Sequence, residues 1–376
     1  HPGRFREGSA AFTHTLWMGA CLAALSLAAG LFWSGPVTAL LGADEAVFAM
    51  SRTYVRVLLL FSPAFLLNDI LLCFVRNDGD PTRSMLAMVS GSLSNIALDY
   101  LFIFPLGMGI FGAVFATGLA PIISMAVLAP FFLRRKNRFH PVSCSPSRSL
   151  GVGIAAAGVP SLVTEVSSGL VIIVFNVILL GLRGNLGVAA YAVVANLSLV
   201  VFAIYTGIAQ GSQPLLSRYY GAGSRANVRA VLSYAVTAAL ALSAVLYALI
   251  FLGADPIASA FNREGDPALQ AMAVWGLKLY FIACPGVGLN ILLSMYFTST
   301  ELPRPAHVIS LLRGFFLILP LLFLLSAFWG IDGLWLTFPL TEWLVAGLAV
   351  LFYLRSRKVP PLMEKGPAEN PGQGSV

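Results

Sequence analysis

The sequence predicts an all-α, polytopic integral membrane protein with about ten transmembrane helices. Of its 376 residues, 58% are hydrophobic and only 10% are charged, whereas about 25% of the residues in a typical soluble domain are charged. Apolar runs recur that reach the roughly 20 residues a helix needs to cross a bilayer. They show no strand alternation, and only helices and closed barrels satisfy their backbones in lipid. The predicted spans are 11–34, 53–75, 84–104, 108–133, 151–181, 186–217, 228–253, 271–298, 306–328 and 331–354.

Positive charges fall mainly on one side of the predicted membrane. When the span ends are labelled alternately, most of the 23 Lys and Arg residues lie in loops on the side of residue 1. Loops of this kind are cytoplasmic, so we expect a multi-pass protein of the cell membrane with both ends in the cytoplasm. This placement explains the net charge of +7, and we expect no nucleic-acid partner.

The cysteine and histidine pattern argues against a metal site or an enzyme. The four cysteines are scattered, with no CxxC or Cys/His spacing, so we expect no disulfide framework and no metal. The sequence also has no nucleophile elbow and no phosphate-binding GxxxxGK[ST] loop. We therefore expect a protein that is not an enzyme and needs no cofactor.

The two halves of the sequence repeat each other. Matched residues keep the same order at a nearly constant offset, which indicates a duplicated unit. They are Pro63 with Pro285, Asn68 with Asn290 and Pro81 with Pro303, each pair 222 positions apart, and GMGIFG (107–112) with FWGIDG (328–333), 221 positions apart.

The repeat also predicts the domain organisation. Residues 151–220 have no counterpart in the first half, so we expect two pseudo-symmetric six-helix lobes in the full protein, with two helices of the first lobe missing here. Two parallel repeats about an axis along the membrane normal form a transporter plan with the site between them. The predicted domains are an N-terminal lobe at 1–139, a cytoplasmic linker at 140–150, a C-terminal lobe at 151–355 and a cytoplasmic tail at 356–376.

A carboxylate stands inside one apolar span. Asp99 lies in SGSLSNIALDYLFIFPLG (90–107), one helical turn after Asn95. On insertion scales, a charged group at this depth costs about 2.5–3.5 kcal/mol, and such residues usually face an interior pathway. The spacing places Asn95 on the same helix face. Asp99 is therefore a candidate proton or cation site, and the alternative is a buried acid that ties helices together.

Several stretches resemble the multidrug and toxic compound extrusion (MATE) transporters, specifically the branch with DNA-damage-inducible and staphylococcal multidrug members. The resemblance implies two six-helix lobes that form a V and export organic cations in exchange for protons or sodium. It runs from the first residue to about residue 354. The stretches that carry it are RNDGDPTRSM (76–85), NIALDYLFIFPLGMGIFGAVFAT (95–117), GIAQGSQPLLSRYYGAG (207–223) and YFTSTELPRPAHVISLLRG (296–314).

The resemblance also implies site residues. A first-lobe cluster of the family holds an asparagine and an aspartate four apart, with a threonine on the next helix, and Asn95, Asp99 and Thr117 match it. These three would hold a proton or a transient Na⁺. A further family aspartate lies on a first helix that this chain lacks. Sodium-linked members use an acid in the first helix of the second lobe, and Glu165 lies in that helix here. The resemblance therefore makes Glu165 a candidate ligand for both the cation and the substrate.

Polar residues of the second half are candidates for substrate binding. Gln210 and Gln213 lie in a Gly-rich segment and either face a cavity or belong to a kinked packing helix. Asn176 and Asn196 are possible cavity amides. Arg313 and Glu342 either pair with each other or line the cavity of the second lobe.

These observations favour a cation-coupled antiporter that exports amphipathic organic cations by alternating access, with H⁺ or Na⁺ as the coupling ion. We expect a monomer in the bilayer with small organic cations as its partners. The alternatives are a flippase for lipid-linked oligosaccharides or other lipids, and a non-functional fragment or scaffold.

Overall fold

The computed structural model describes residues 2–41, 45 and 48–358. All regular structure in these ranges is helical, which confirms the predicted fold class. The helices are α1 Pro2–Phe32, α2 Ser34–Leu40, α3 Phe48–Leu60, α4 Ser62–Asn77, α5 Pro81–Ile103, α6 Gly109–Leu133, α7 Arg148–Gly221, α8 Arg225–Leu252, α9 Ala254–Phe261, α10 Pro267–Tyr280, α11 Cys284–Ser299, α12 Pro303–Leu311 and α13 Ile318–Lys358.

Helix length and composition support a multi-pass membrane protein. Seven of the described helical segments are long and apolar enough to cross a membrane, and α3 with α4 makes an eighth if this pair, bent by 48°, is one span. The two longest segments are interrupted at Gly184 in α7 and Gly330 in α13. Their φ angles of 64° and 61° lie in the left-handed region that glycine adopts readily. Both breaks fall where the sequence predicts that one span ends and the next begins.

The chain forms two compact units, His1–Ala157 and Gly158–Val376, and it passes from one to the other within α7. This division follows shortly after the linker predicted at 140–150. Of the tail predicted at 356–376, only residues 356–358 belong to the described part of the chain.

The first unit is held together by aromatic and close helix contacts. Phe12 of α1 packs edge-on against Phe74 of α4, with ring centroids 4.8 Å apart, and against Phe139, 4.7 Å away. Asp80 caps α5 by accepting the backbone N–H of Arg83 at 3.0 Å, which satisfies one of the free donors at a helix start. Together these contacts fix where α5 begins and how the chain after α6 returns to α1.

The segment after α6 is attached to one face of α1. Its backbone N–H groups donate to three buried side chains of that helix. The imidazole of His14 is oriented by a second contact, because its Nδ1 lies 2.8 Å from the Ala10 carbonyl oxygen. A carbonyl only accepts, so Nδ1 carries the hydrogen and Nε2 is the acceptor. The three bonds are His140 to Ser9 Oγ at 3.4 Å, Val142 to Thr13 Oγ1 at 3.0 Å and Ser147 to His14 Nε2 at 3.0 Å.

This attachment predicts the effect of changing His14. His14→Lys places a donor where Nε2 accepts from Ser147, so we expect the segment to detach and Cys144 to react several-fold faster with a maleimide. His14→Gln can still donate to Ala10 and accept from Ser147, and should react like the parent. The measurement uses protein in which Cys144 is the one remaining cysteine. Equal labelling rates in both variants would contradict this arrangement.

The second unit has a larger apolar core. Tyr280, the last residue of α10, stacks on Phe338 of α13 with centroids 4.5 Å apart, and Trp335 of α13 is fully buried. The two parts of α7 pack against each other, since Phe175 and Tyr191 stack at 5.0 Å on either side of Gly184. The polar group described below lies within this unit.

Candidate functional site

Asn95 and Asp99 lie in the C-terminal half of α5 with half-buried side chains. In each of them the Oδ1 atom is buried and has no hydrogen-bond partner among the described residues. A buried polar atom without a partner is energetically unfavourable, and such atoms in native proteins need an explanation. Two oxygens in this state, one turn apart, fit a proton on the carboxylate or a small monovalent cation beside it.

Thr117 lies at the same level of the neighbouring helix. Gly91 contacts the Ala120 backbone, and Phe102 contacts Gly112, so α5 and α6 run antiparallel with Thr117 between these two contact points. Its hydroxyl donates to the Ala113 carbonyl oxygen at 3.1 Å within α6. Because the hydroxyl hydrogen is already donated within α6, Thr117 can contribute only its oxygen lone pairs to a bound cation.

Glu165 lies on the first part of α7 with an exposed side chain. Among the described residues, no hydrogen bond or ion pair involves its carboxylate. Its neighbours are small and polar: Ser168 donates to the Thr164 carbonyl oxygen at 2.8 Å, and Ser167 is buried with its Oγ unpaired. Glu165 thus differs from Asp99, because its carboxylate is accessible within its own unit.

The predicted amides are distributed along α7 on both sides of Gly184. Asn176 is half-buried on the first part, and Gln210 and Gln213 are half-buried one turn apart on the second part. Asn196 is exposed and donates to the Ala192 carbonyl oxygen of its own helix at 2.8 Å. Within the described residues these four side chains form no hydrogen bonds with one another, so they do not make up a common hydrogen-bonded cluster.

The second unit contains a buried charged group that sequence reasoning did not assign. Arg313 and Glu342 form the ion pair that the sequence left open as one of two possibilities, with Nε 3.0 Å from Oε1 and 2.9 Å from Oε2. Asn290 of α11 donates its amide to Oε2 at 2.7 Å and to the Glu342 carbonyl oxygen at 2.9 Å. The Glu342 and Arg313 side chains are 3% and 13% exposed. The only sequence signal for Asn290 was its match to Asn68 in the repeat.

Comparison with known proteins agrees with this architecture. The MatE family model matches residues 2–101 and 160–324, more than half of the chain. The multidrug export protein MepA of Staphylococcus saprophyticus is 25% identical over 348 residues, covering 91% of this chain and 76% of that protein. MepA of Staphylococcus aureus is 24% identical over 347 residues, with the same coverage.

Solved structures share the fold. An outward-facing multidrug resistance MATE transporter of the MOP superfamily aligns with a TM-score of 0.84 at 22% identity, covering 93% of this chain and 78% of that one. A MOP superfamily transporter from Pyrococcus furiosus, described as having a binding pocket of reverse polarity, aligns with a TM-score of 0.84 at 22% identity, covering 94% and 80%. The chain therefore belongs to the MatE family and is a MATE-type membrane transporter.

Proposed function

We propose that this transporter exports amphipathic organic cations across the cytoplasmic membrane in exchange for H⁺ or Na⁺. The observation that carries the proposal is the carboxylate of Asp99 inside a membrane-spanning helix. Its Oδ1 is buried without a partner, one turn from the equally unpaired Oδ1 of Asn95. A titratable acid at membrane depth is by default a functional group. The MepA relatives are named as multidrug exporters, which supports the same cargo class.

The proposed mechanism is competition for one negative charge. Cationic cargo binds well only while the site is negative, and a proton or Na⁺ at Asp99 removes that charge. If the protein changes its direction of opening only when loaded, then movement of one cation inward drives the other outward. A ligand shifts a conformational equilibrium only by its differential affinity for the two states, and the charge on Asp99 supplies that difference. No chemical conversion of the cargo is involved.

A lipid flippase is the second candidate, and the charges of the second unit argue against an anionic lipid. Anionic head groups require accessible basic side chains. Lys278 and Arg313 are the Lys and Arg residues that lie more than one turn from the ends of the predicted spans of this unit. Arg313 is neutralised by Glu342. The Lys278 ammonium lies 4.8 Å from the centre of the Phe251 ring, a favourable cation–π distance. Both positive charges are thus already compensated within the protein, and neither is available to bind a lipid phosphate.

Transport in reconstituted vesicles tests the proposal. Purified protein is placed in liposomes, and ethidium movement is followed by fluorescence under an imposed pH gradient, an imposed Na⁺ gradient, or neither. We expect ethidium to move against its gradient in at least one driven condition and not in the undriven one. Absence of driven transport, together with movement of a fluorescent anionic lipid, would favour the flippase instead.

A further inference from the structure

The Arg313–Glu342 pair is found in the second repeat only, and the corresponding positions of the first repeat carry no charge. At the offsets of the repeat, Arg313 corresponds to Gly91 and Glu342 to the Ala120–Pro121 step. In the first unit Gly91 packs directly against the Ala120 carbonyl. The same helix contact is thus made there by small residues, without charge. Because a buried ion pair seldom adds net stability over apolar residues, packing does not explain why the second unit has one.

Asn290 strengthens this comparison. Its counterpart Asn68 is also buried, at 9% exposure, and its Oδ1 also has no partner among the described residues. The asparagine is therefore common to both halves, whereas the two charges are confined to the second. In that half the amide of Asn290 is turned onto the carboxylate of Glu342.

Arg313 holds Glu342 with a small part of its hydrogen-bonding capacity. Both contacts come from Nε, whereas a fork-to-fork pair would use two nitrogens in parallel. Arg313 is also the more exposed of the two partners. It stands in a π-helical segment, Leu312–Phe316. Such segments are rare, and they occur frequently at functional sites.

Two acceptors without partners belong to residues that contact Glu342 or the residue after Arg313. Asn290 Oδ1 is buried and unpaired although its Nδ2 is bound to Glu342. Ser167 Oγ is buried, unpaired and in contact with Gly314, the residue after Arg313. The surroundings of the ion pair therefore contain two unsatisfied acceptors in addition to its two charges.

We propose that Glu342 is a cargo-binding carboxylate, and that Arg313 is a built-in counter-ion that the cationic cargo displaces. The inference rests on the proposed export function and extends it to a second site. The exchange replaces one cation by another at the same carboxylate, so Glu342 itself is never left without a positive partner, a state that would be strongly unfavourable. Asp99 remains the carboxylate at which cargo and coupling ion compete, and Glu342 adds a second carboxylate that binds the cargo.

The chemistry of the displaced group defines the cargo. A guanidinium is planar, has a delocalised charge and is weakly hydrated, in contrast to an ammonium. A carboxylate in apolar surroundings that accepts such a group will accept planar aromatic cations of similar charge density, since their desolvation is comparatively inexpensive. The Glu342 site should therefore select delocalised organic cations such as ethidium over Na⁺ or small primary amines.

The first test separates binding from folding. In the double variant Arg313→Met with Glu342→Met, both charges are replaced by apolar side chains, a change that buried ion pairs often tolerate. We expect the purified double variant to keep its melting temperature but to bind ethidium about tenfold more weakly or worse. Wild-type ethidium affinity in a folded double variant would overturn the proposal. A matched control, Asp332→Asn at an exposed acid of α13, should bind normally.

The second test uses guanidinium itself as the probe. Arg313→Ala removes the internal counter-ion, so ethidium should bind more tightly than in the parent protein, and millimolar guanidinium chloride should compete with it. The parent, whose site is already filled, should show little competition at the same concentration. Equal sensitivity of both proteins to guanidinium would refute the displacement idea. If Arg313→Ala does not fold without guanidinium, dependence of its folding on the added ion supports the same site, and indifference to the ion counts against it.

Failure of this inference is distinguishable from failure of the export function. If the double variant binds and transports ethidium normally while Asp99→Asn does not transport it, Glu342 is structural and the coupled export stands. If the wild-type protein shows no driven ethidium transport at all, the proposed function itself is wrong.

Discussion

Asp99→Asn is expected to reduce gradient-driven ethidium transport to the level of protein-free liposomes, while expression and the melting temperature stay close to those of the parent. Asparagine has nearly the shape of aspartate, so the packing of α5 against α6 is preserved. It has no charge to exchange, and therefore protons, Na⁺ and cargo no longer compete for it. The loss should be complete because coupling depends on that competition and not on cargo affinity alone.

The matched control for this change is Asp69→Asn. Asp69 lies in a neighbouring predicted span of the same unit but has an exposed side chain, so its replacement should leave driven transport intact. Driven transport at the parental rate in Asp99→Asn, measured in the same vesicles, would show that Asp99 is a structural acid. That was the alternative left open by the sequence.

Breaking the buried ion pair from one side should have the largest effect on stability. Glu342→Leu leaves the Arg313 guanidinium without its acceptor and removes one of the two acceptors of the Asn290 amide. Removal of one partner of a buried pair costs about 3–5 kcal/mol. The double change Arg313→Met with Glu342→Leu removes the orphaned charge and should restore most of the loss. This expectation concerns stability only and holds whether or not cargo binds at Glu342.

Thermal unfolding in detergent measures this difference. Glu342→Leu should unfold well below the parent, the double variant close to it, and Glu264→Gln, at an exposed loop acid, indistinguishably from it. If the double variant is as unstable as Glu342→Leu, the two side chains do not act as a pair, and the contact between Arg313 Nε and the carboxylate lacks the energetic role assigned to it.

The span architecture could be derived from sequence because it depends on local properties. Apolar length decides whether a helix can cross a membrane, and a glycine between two apolar runs permits the backbone reversal seen at Gly184 and Gly330. The domain prediction also used only the repeat and the basic linker. None of these inferences required knowledge of how one helix is rotated against another.

The polar contacts depend on that rotation, and the sequence left them open. Arg313 and Glu342 are 29 positions apart, and Arg313 lies in a π-helical segment that no residue type predicts. Thr117 was expected to help hold a proton or Na⁺, and the sequence did not show that its hydroxyl hydrogen is donated within its own helix, as threonines in apolar helices often do. The attachment of the linker to His14 likewise arises from tertiary packing, because residues more than 130 positions apart meet there.

The central claim is that Asp99 gives up its cation when cargo binds, and calorimetry of ethidium binding measures this most directly. Purified protein is titrated with ethidium near neutral pH in sodium-free buffers that differ in ionisation enthalpy, so the difference in heat reports the protons released. The wild-type protein should release protons on binding, or, if Na⁺ is the coupling ion, added Na⁺ should compete with ethidium; Asp99→Asn should show neither effect. Ethidium binding to the wild-type protein without proton release and without competition by Na⁺ would contradict the account.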